Sequence, residues 1–443
     1  SPPQAVSVNE LQEITDGICK LTIAHEIVLN SDFKLQAASF SPKSLENRVK
    51  ETLHKAFWDS LEEQLSANPS DYTQAIQLLQ EIKETLLSLL LPQHNQLRSQ
   101  IEEVLDMELI RQEAEHGALD IRGLATYILG TMARLCAPIR DEEVRGLQSL
   151  ADPAQLLREI FRVLGLMKTD MLNFTIQSLR THLRDHTVQY EQKKFQELLD
   201  KLPNSLDHTR EWLCKAAAEA STCPSQPPPH PAVGGSPAAR SPGAAGGGTT
   251  RPSLSSVLHR GYMNLLCWEP GQKEYPETLL MDQARLQEVQ AQVKRLTVMA
   301  AVLLVTSGVC GSTLWGSPGF VARLKGVTKV LLEGQSCTRC EEALEDISDQ
   351  VLQEVSRTLS QLGYPAFAAA KRASLKGQIK SIAEKGNAVR HIIEQRIHSF
   401  LSLFISPDGQ NSQKDFPKGL DAIQEELLEV GHRFGSMIQH NKQ

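Results

Sequence analysis

The hydrophobic positions of this chain recur at helical spacing almost from end to end. Ser7 followed by Glu10 forms a capping box, in which the serine oxygen accepts a backbone N–H and the glutamate reaches back to the cap. Leu11, Ile14, Ile18, Leu21 and Val28 then mark one face at steps of three, four and seven. Leu45, Val49, Leu53, Phe57, Leu61 and Leu65 repeat at every fourth residue until Asn68-Pro69 ends the run. Ile76, Leu79, Ile82, Leu86 and Leu89 predict a further helix, stopped by Pro92. Asp152-Pro153 is a strong start signal, an acceptor at the cap before a proline preset to helical φ. Later, Pro276 is expected to open a helix carrying Leu279, Leu286, Val289, Val293, Leu296, Ala300 and Leu303 on one face. It would run for about 28 residues, or about 42 Å. Ser317-Pro318 begins another helix, Val389, Ile393, Ile397, Leu401 and Phe404 trace a later one, and a last is expected from Gly419 to Ile438. No alternating run of β-branched residues sits beside a turn signal, so no sheet is expected. No fixed-period repeat indicates a regular solenoid.

One stretch breaks the pattern. Residues 221–252 hold eight prolines and six glycines and no acidic residue. Such a composition cannot bury a core and reads as a disordered linker. The expectation is therefore an all-α protein, a large multi-helix array of two helical blocks packed together, residues 1–220 and 254–443, joined by the Pro/Gly-rich linker 221–253. Within the linker, Arg240-Ser241-Pro242 makes Ser241 a candidate for proline-directed phosphorylation.

Composition narrows the function. With 443 residues and 41% hydrophobic positions the chain can bury a full core without metal or disulfide. The formal net charge of −7 argues against nucleic-acid partners, which require a dense basic face. Eight cysteines scattered through the chain suit a reducing, cytoplasmic setting. The Asn173-Phe174-Thr175 sequon lies inside an apolar helical pattern, which disfavours a secreted, glycosylated reading. The chain opens Ser-Pro-Pro without Met and is read as a fragment.

The candidate chemistry is sparse. Residues 296–322 carry no charge. Only Leu296 to Val305 is densely apolar, which reads as a buried core helix, with membrane contact through Leu296, Val302, Leu303 and Leu304 as the alternative. Three Glu-x-x-His pairs, Glu51/His54, Glu113/His116 and Glu429/His432, have the spacing that helical bundles use for dinuclear metal sites. Their polar flanks read instead as solvated faces, and no metal site or cofactor is expected. Cys337-Thr338-Arg339-Cys340 lacks the second ligand pair of a zinc site and reads as a loop. Lys371-Arg372-Ala373-Ser374 has the form of a substrate for basophilic, cyclic-AMP-dependent-type kinases, while Ser374 could equally cap a helix carrying Leu375, Ile379 and Ile382. Lys50, His54 and Trp58 form a stripe beside the Leu53/Phe57/Leu61 face, so Trp58 is either a partner anchor or a core residue using its indole N–H internally. There is no phosphate-binding glycine loop, no H-E-x-x-H and no G-x-S-x-G, so an enzyme is not expected.

Several longer strings resemble the T-complex protein 11 family. They include Val49-Lys50-Glu51-Thr52-Leu53-His54-Lys55-Ala56-Phe57-Trp58-Asp59, Glu81-Ile82-Lys83-Glu84-Thr85-Leu86-Leu87-Ser88 and Arg111-Gln112-Glu113-Ala114-Glu115-His116-Gly117-Ala118-Leu119. Leu135-Cys136-Ala137-Pro138-Ile139-Arg140-Asp141-Glu142 and Pro276-Glu277-Thr278-Leu279-Leu280-Met281-Asp282 fit as well. Leu314-Trp315-Gly316-Ser317-Pro318 resembles the testis-associated founding branch, and Ala24-His25-Glu26-Ile27-Val28 the "like" branch. The resemblance covers nearly the whole chain outside the linker. It implies a non-enzymatic regulatory or scaffold role linked to cyclic AMP and protein kinase A, in sperm capacitation, the acrosome and the flagellum, with protein partners and peripheral membrane association. It also implies family members that continue past Gln443. The alternatives are a structural flagellar protein, bound to microtubule-associated or outer-dense-fibre proteins, and a helical-bundle metalloenzyme.

Overall fold

The computed structural model describes residues 20–36, 45–201, 206–222, 252–269, 271, 274–334, 343–406 and 416–443, with backbone alone at 45–50, 183 and 185. Every regular element among the described residues is helical, and the fold is all-α. The helices are α1 (20–29), α2 (Leu45–Ser66), α3 (Thr73–Ser88), α4 (Asn95–Val104), α5 (Met107–Glu115), α6 (Ile121–Leu135), α7 (Asp141–Leu147) and α8 (Pro153–Lys201). After them come α9 (Asp207–Thr222), α10 (Leu254–Asn264), α11 (Gln283–Trp315), α12 (Phe320–Glu333), α13 (Leu344–Gln361), α14 (Ala369–Lys380), α15 (Ala388–Ile405) and α16 (Gln424–Lys442).

Local chemistry sets many of the boundaries. Asp152 Oδ2 accepts the N–H of Gln155 at 2.7 Å, so the Asp-Pro pair starts α8 as its sequence predicts. Asp106, Asp120, Ser253 and Asn387 cap α5, α6, α10 and α15 in the same way. Pro276 opens not α11 itself but a 3₁₀ turn, Glu277–Asp282, from which α11 continues. The Ser7/Glu10 box and the linker core, residues 223–251, lie outside the described residues.

The compact units do not follow the linker. One comprises Glu26–Thr187; the other combines Val188–Gln443 with the residues up to His25, and the division falls inside α8. In the first unit Leu79, Ile82 and Leu86 of α3 and its C-cap Leu89 enter one core with Trp58, Leu61, Ile101, Ile128 and Ile160. Each such aliphatic side chain, once fully buried, contributes about 1.5–3 kcal/mol.

In α2 the buried face differs from the predicted one. Leu53 is 67% exposed, whereas Trp58 and Leu61 are buried. A four-residue repeat advances about 40° per step on a helix of 3.6 residues per turn, so the stripe drifts off any single face. The face centred between Trp58 and Leu61 leaves Leu53 about 110° away.

In the second unit α11 is the central helix, packed by α12, α13, α14, α15 and α16. All seven predicted core positions from Leu279 to Leu303 are buried. From Leu296 to Leu303 the helix is buried on every side, which is why its composition is apolar all round. The hydroxyls of Thr297 and Thr306 donate back to the carbonyls of Val293 and Val302, at 2.8 and 2.7 Å, so neither is orphaned. Gly311, at φ 71° and ψ 177°, interrupts α11 in a conformation that favours glycine. Close α15–α16 packing depends on Gly431, where an added Cβ would lie 2.5 Å from the Phe404 ring.

Candidate functional site

In the second unit, four charged or ionisable side chains from distant parts of the chain meet, largely buried. His25 is buried on α1, Glu191 comes from α8, Asp282 from the turn before α11, and His440 from the last turns of α16. His25 Nδ1 lies 3.0 Å from Glu191 Oε2 and its Nε2 lies 2.7 Å from Asp282 Oδ1. His440 Nε2 is 3.2 and 3.1 Å from the two oxygens of the same Glu191. The two imidazole rings tilt toward each other at 5.1 Å. Arg285 Nη1 donates to Asp282 Oδ1 at 3.1 Å.

Burial alone would lower the His25 pKa, because a buried cation loses hydration. Hydrogen bonds to Asp282 and Glu191, and attraction to their charges, outweigh this and push it up to about 9. Burial likewise opposes ionisation of Glu191, and its bonds to His25 and His440 overcome that, holding its carboxyl below the usual range. His25 is thus an imidazolium held between two carboxylates.

The neighbouring polar groups fix α16 in place. Tyr262 of α10 donates to Asn441 Oδ1 at 2.9 Å, and Asn441 Nδ2 donates to the Thr278 carbonyl at 2.7 Å. Burial pushes the Tyr262 phenol up to about 12, so it stays a donor.

One turn away, Glu277 anchors the start of α9. Its carboxylate accepts the N–H groups of His208 and Thr209 at 3.0 and 2.8 Å and the Thr209 hydroxyl at 2.7 Å. Burial would raise its pKa, but these bonds to the ionised form lower it to about 2. A depressed carboxylate stabilises the fold above its unfolded pKa and loses that contribution as pH falls through the folded one. Glu277→Gln should therefore cost about 1–3 kcal/mol at pH 7. The deficit relative to wild type should shrink from about pH 4.5 down to about pH 2, as read by urea unfolding across that range.

The positions singled out from sequence fall elsewhere. Trp58 is only 5% exposed, and its indole donates to His54 Nε2 at 3.2 Å, so it is a core residue rather than an open anchor. Phe57, Phe161 and Arg158 pack around its ring. His54 is exposed, and the Lys50 side chain lies outside the described residues.

Ser374 is not a helix cap: α14 begins at Ala369, and Ser374 sits exposed in its interior, accepting from Gln378 Nε2 at 3.2 Å. The helix starts earlier because Ala369-Ala370-Lys371-Arg372 are themselves good helix formers. Ser241, Cys337 and Cys340 lie outside the described residues.

The Glu277–Trp315 stretch is long and apolar enough to cross a membrane. Of the four residues offered as a membrane contact, Leu296, Val302 and Leu303 are nevertheless buried in the unit, and Leu304 alone is open, at 38%. The three Glu-x-x-His pairs sit on α2, on α5 and its C-cap, and on α16. None of their residues enters the His25–Glu191–His440 group, whose donor atoms lie within 4.8 Å of one another. Asn173 clasps the Leu35 backbone through both ends of its amide, at 2.6 and 3.1 Å, so the sequon nitrogen is engaged.

The cluster went unread in sequence, although two clues were present. His25 stands four residues after Leu21 on an apolar face, and Asp282 stands between Leu279 and Leu286 on the apolar stripe expected to follow Pro276. A polar residue on a core stripe is the informative exception.

These features define an all-α protein whose second unit is built around an apolar central helix and carries a largely buried histidine–carboxylate cluster. The profile of the T-complex protein 11 family matches residues 23–443, and the chain belongs to that family. It is 49% identical over 442 residues to human T-complex protein 11 homolog, covering 100% of this chain and 87% of that protein. It is also 49% identical over 435 residues to human T-complex protein 11-like X-linked protein 2, covering 98% and 86%. A more distant relative is Protein SOK1 of Saccharomyces cerevisiae, 26% identical over 273 residues, 58% of this chain and 28% of that protein. No solved structure matches the chain.

Proposed function

We propose that this protein is a non-enzymatic regulatory scaffold that binds protein partners in cyclic-AMP/protein kinase A-linked signalling. Its place would be the cytoplasm of sperm, in the flagellum and acrosomal region. Family membership supports the general reading, and the observation that carries the kinase link is the setting of Ser374.

Lys371, Arg372 and Ser374 are all exposed on α14. Kinases take their substrates extended, so the first turns of α14 must open for transfer. From Leu362 to Ser374 every residue except Phe367 is exposed, and the Ala368 cap makes no side-chain hydrogen bond. Few contacts resist that opening. Beyond it, Leu375 and Ile379 are buried, and Lys376 pairs with Asp349 at 2.6 Å and Glu345 at 2.9 Å on α13. A phosphate added at Ser374 would thus place nearly two negative charges at a hinge between a loose and a fixed part of one helix.

The test is phosphorylation of the purified chain by the kinase A catalytic subunit, followed by proximity labelling in sperm with wild-type and Ser374→Ala baits. Phosphate mapped to Ser374, with kinase subunits or their anchoring proteins enriched in a Ser374-dependent way, is the expected result. Enrichment of axonemal or dense-fibre proteins alone, indifferent to Ser374, would overturn it and leave a structural flagellar role.

A further inference from the structure

We propose that His25, Glu191 and His440 form a binding site for a single zinc-type divalent ion that staples the second unit together. The donor set is two imidazoles and one carboxylate, which suits Zn²⁺ with a water completing the fourth position.

The spacing also suits it. Two ligands bound tetrahedrally at zinc distances are about 3.3 Å apart. Glu191 Oε2 already lies 3.0 Å from His25 Nδ1 and 3.1 Å from His440 Nε2. All three ligand atoms lie within 4.8 Å of one another, so the two imidazoles would draw in around an ion seated beside Glu191, the Nδ1 proton of His25 leaving to solvent as the metal takes its place.

The surroundings resemble the support that metal-bound histidines receive. A ligating histidine usually donates its second N–H to a carboxylate, which fixes the tautomer and raises its basicity. Asp282 stands at that position, 2.7 Å from His25 Nε2, itself held by Arg285. The side chains of His25, Glu191 and His440 are 4, 12 and 8% exposed, so they are positioned by packing and cannot swing to solvent without disturbing it.

An ion here would be structural. Its ligands come from α1, α8 and α16, separated by 166 and 249 residues, and fixing such distant segments favours the folded chain. The described cavities, lined by residues such as Arg295 and Lys329 or Trp212 and Trp268, include none of the three ligands.

The test uses untagged full chain, stripped with chelator, then given zinc and desalted. The chain has 13 histidines and 8 cysteines, so total zinc is less telling than the equivalent that depends on this site. Wild type should retain one equivalent more than Glu191→Gln or His440→Gln, with a higher thermal midpoint when loaded. Asp282→Asn should bind about 10–100-fold more weakly. Because a variant could fail to fold, helicity is checked by circular dichroism, and wild type is also loaded with Co²⁺, whose visible bands report four-coordinate geometry. Equal zinc in wild type and folded variants, or a wild-type cobalt spectrum without tetrahedral bands, would overturn the site.

Discussion

Val302→Asp should cost more than about 4 kcal/mol and leave the second unit unfolded or molten. Val302 is completely buried at the centre of α11, in the stretch enclosed by neighbouring helices. A carboxylate there has no partner and must either stay ionised in an apolar setting or take up a proton at neutral pH. Either cost is a large share of the 5–15 kcal/mol that holds a typical domain together. Leu304→Asp is the matched control, because Leu304 is 38% exposed and its carboxylate can reach water. That variant should lose about 1 kcal/mol or less. Denaturant unfolding in detergent-free buffer compares the two. Equal tolerance of both would show that α11 does not have this interior position and would return the membrane-contact reading to favour.

Asp282→Ala should be nearly as damaging, at about 3–5 kcal/mol, because it strips one partner from a buried ionic group rather than removing the group whole. Asp282 is 1% exposed and bonds both His25 and Arg285. Its loss leaves the imidazolium with Glu191 alone and takes one carboxylate away from the Arg285 guanidinium. The decisive comparison is a double-mutant cycle with His25→Gln. Removing both charges should cost less than the sum of the single changes, with a coupling of about 0.5–3 kcal/mol. Strict additivity in thermal or denaturant unfolding would mean the two side chains do not act as a pair.

Both predictions rest on features that differ in how readily sequence reveals them. The core face of α11 is legible because its spacing, Leu286, Val289, Val293, Leu296, Ala300 and Leu303, follows the helical period closely. The α2 stripe misleads because its spacing does not, and the drift carries Leu53 off the face that buries Trp58 and Leu61. Ser374 was readable as a kinase-type motif but not as a mid-helix residue. The preceding alanines and basic residues extend α14 without adding any apolar period.

Local regularities let the sequence by itself determine the helical class, several starts and stops, and the main inward positions of α3, α11 and α15. Each of these depends on neighbours within a turn or two, where the chain's own geometry fixes who meets whom. The units and the cluster were decided only by the tertiary structure. A composition break at residues 221–252 suggested two blocks, yet the compact division falls inside the unbroken helix α8, and residues 188–222 group with the C-terminal half. His25, Glu191, Asp282 and His440 are brought together from far apart in the chain, the His25–Asp282 bond alone spanning 257 residues, and no local spacing encodes such a meeting. It exists because apolar faces pack first in the energetic sense, and the charged groups carried on those faces have only one another to satisfy them.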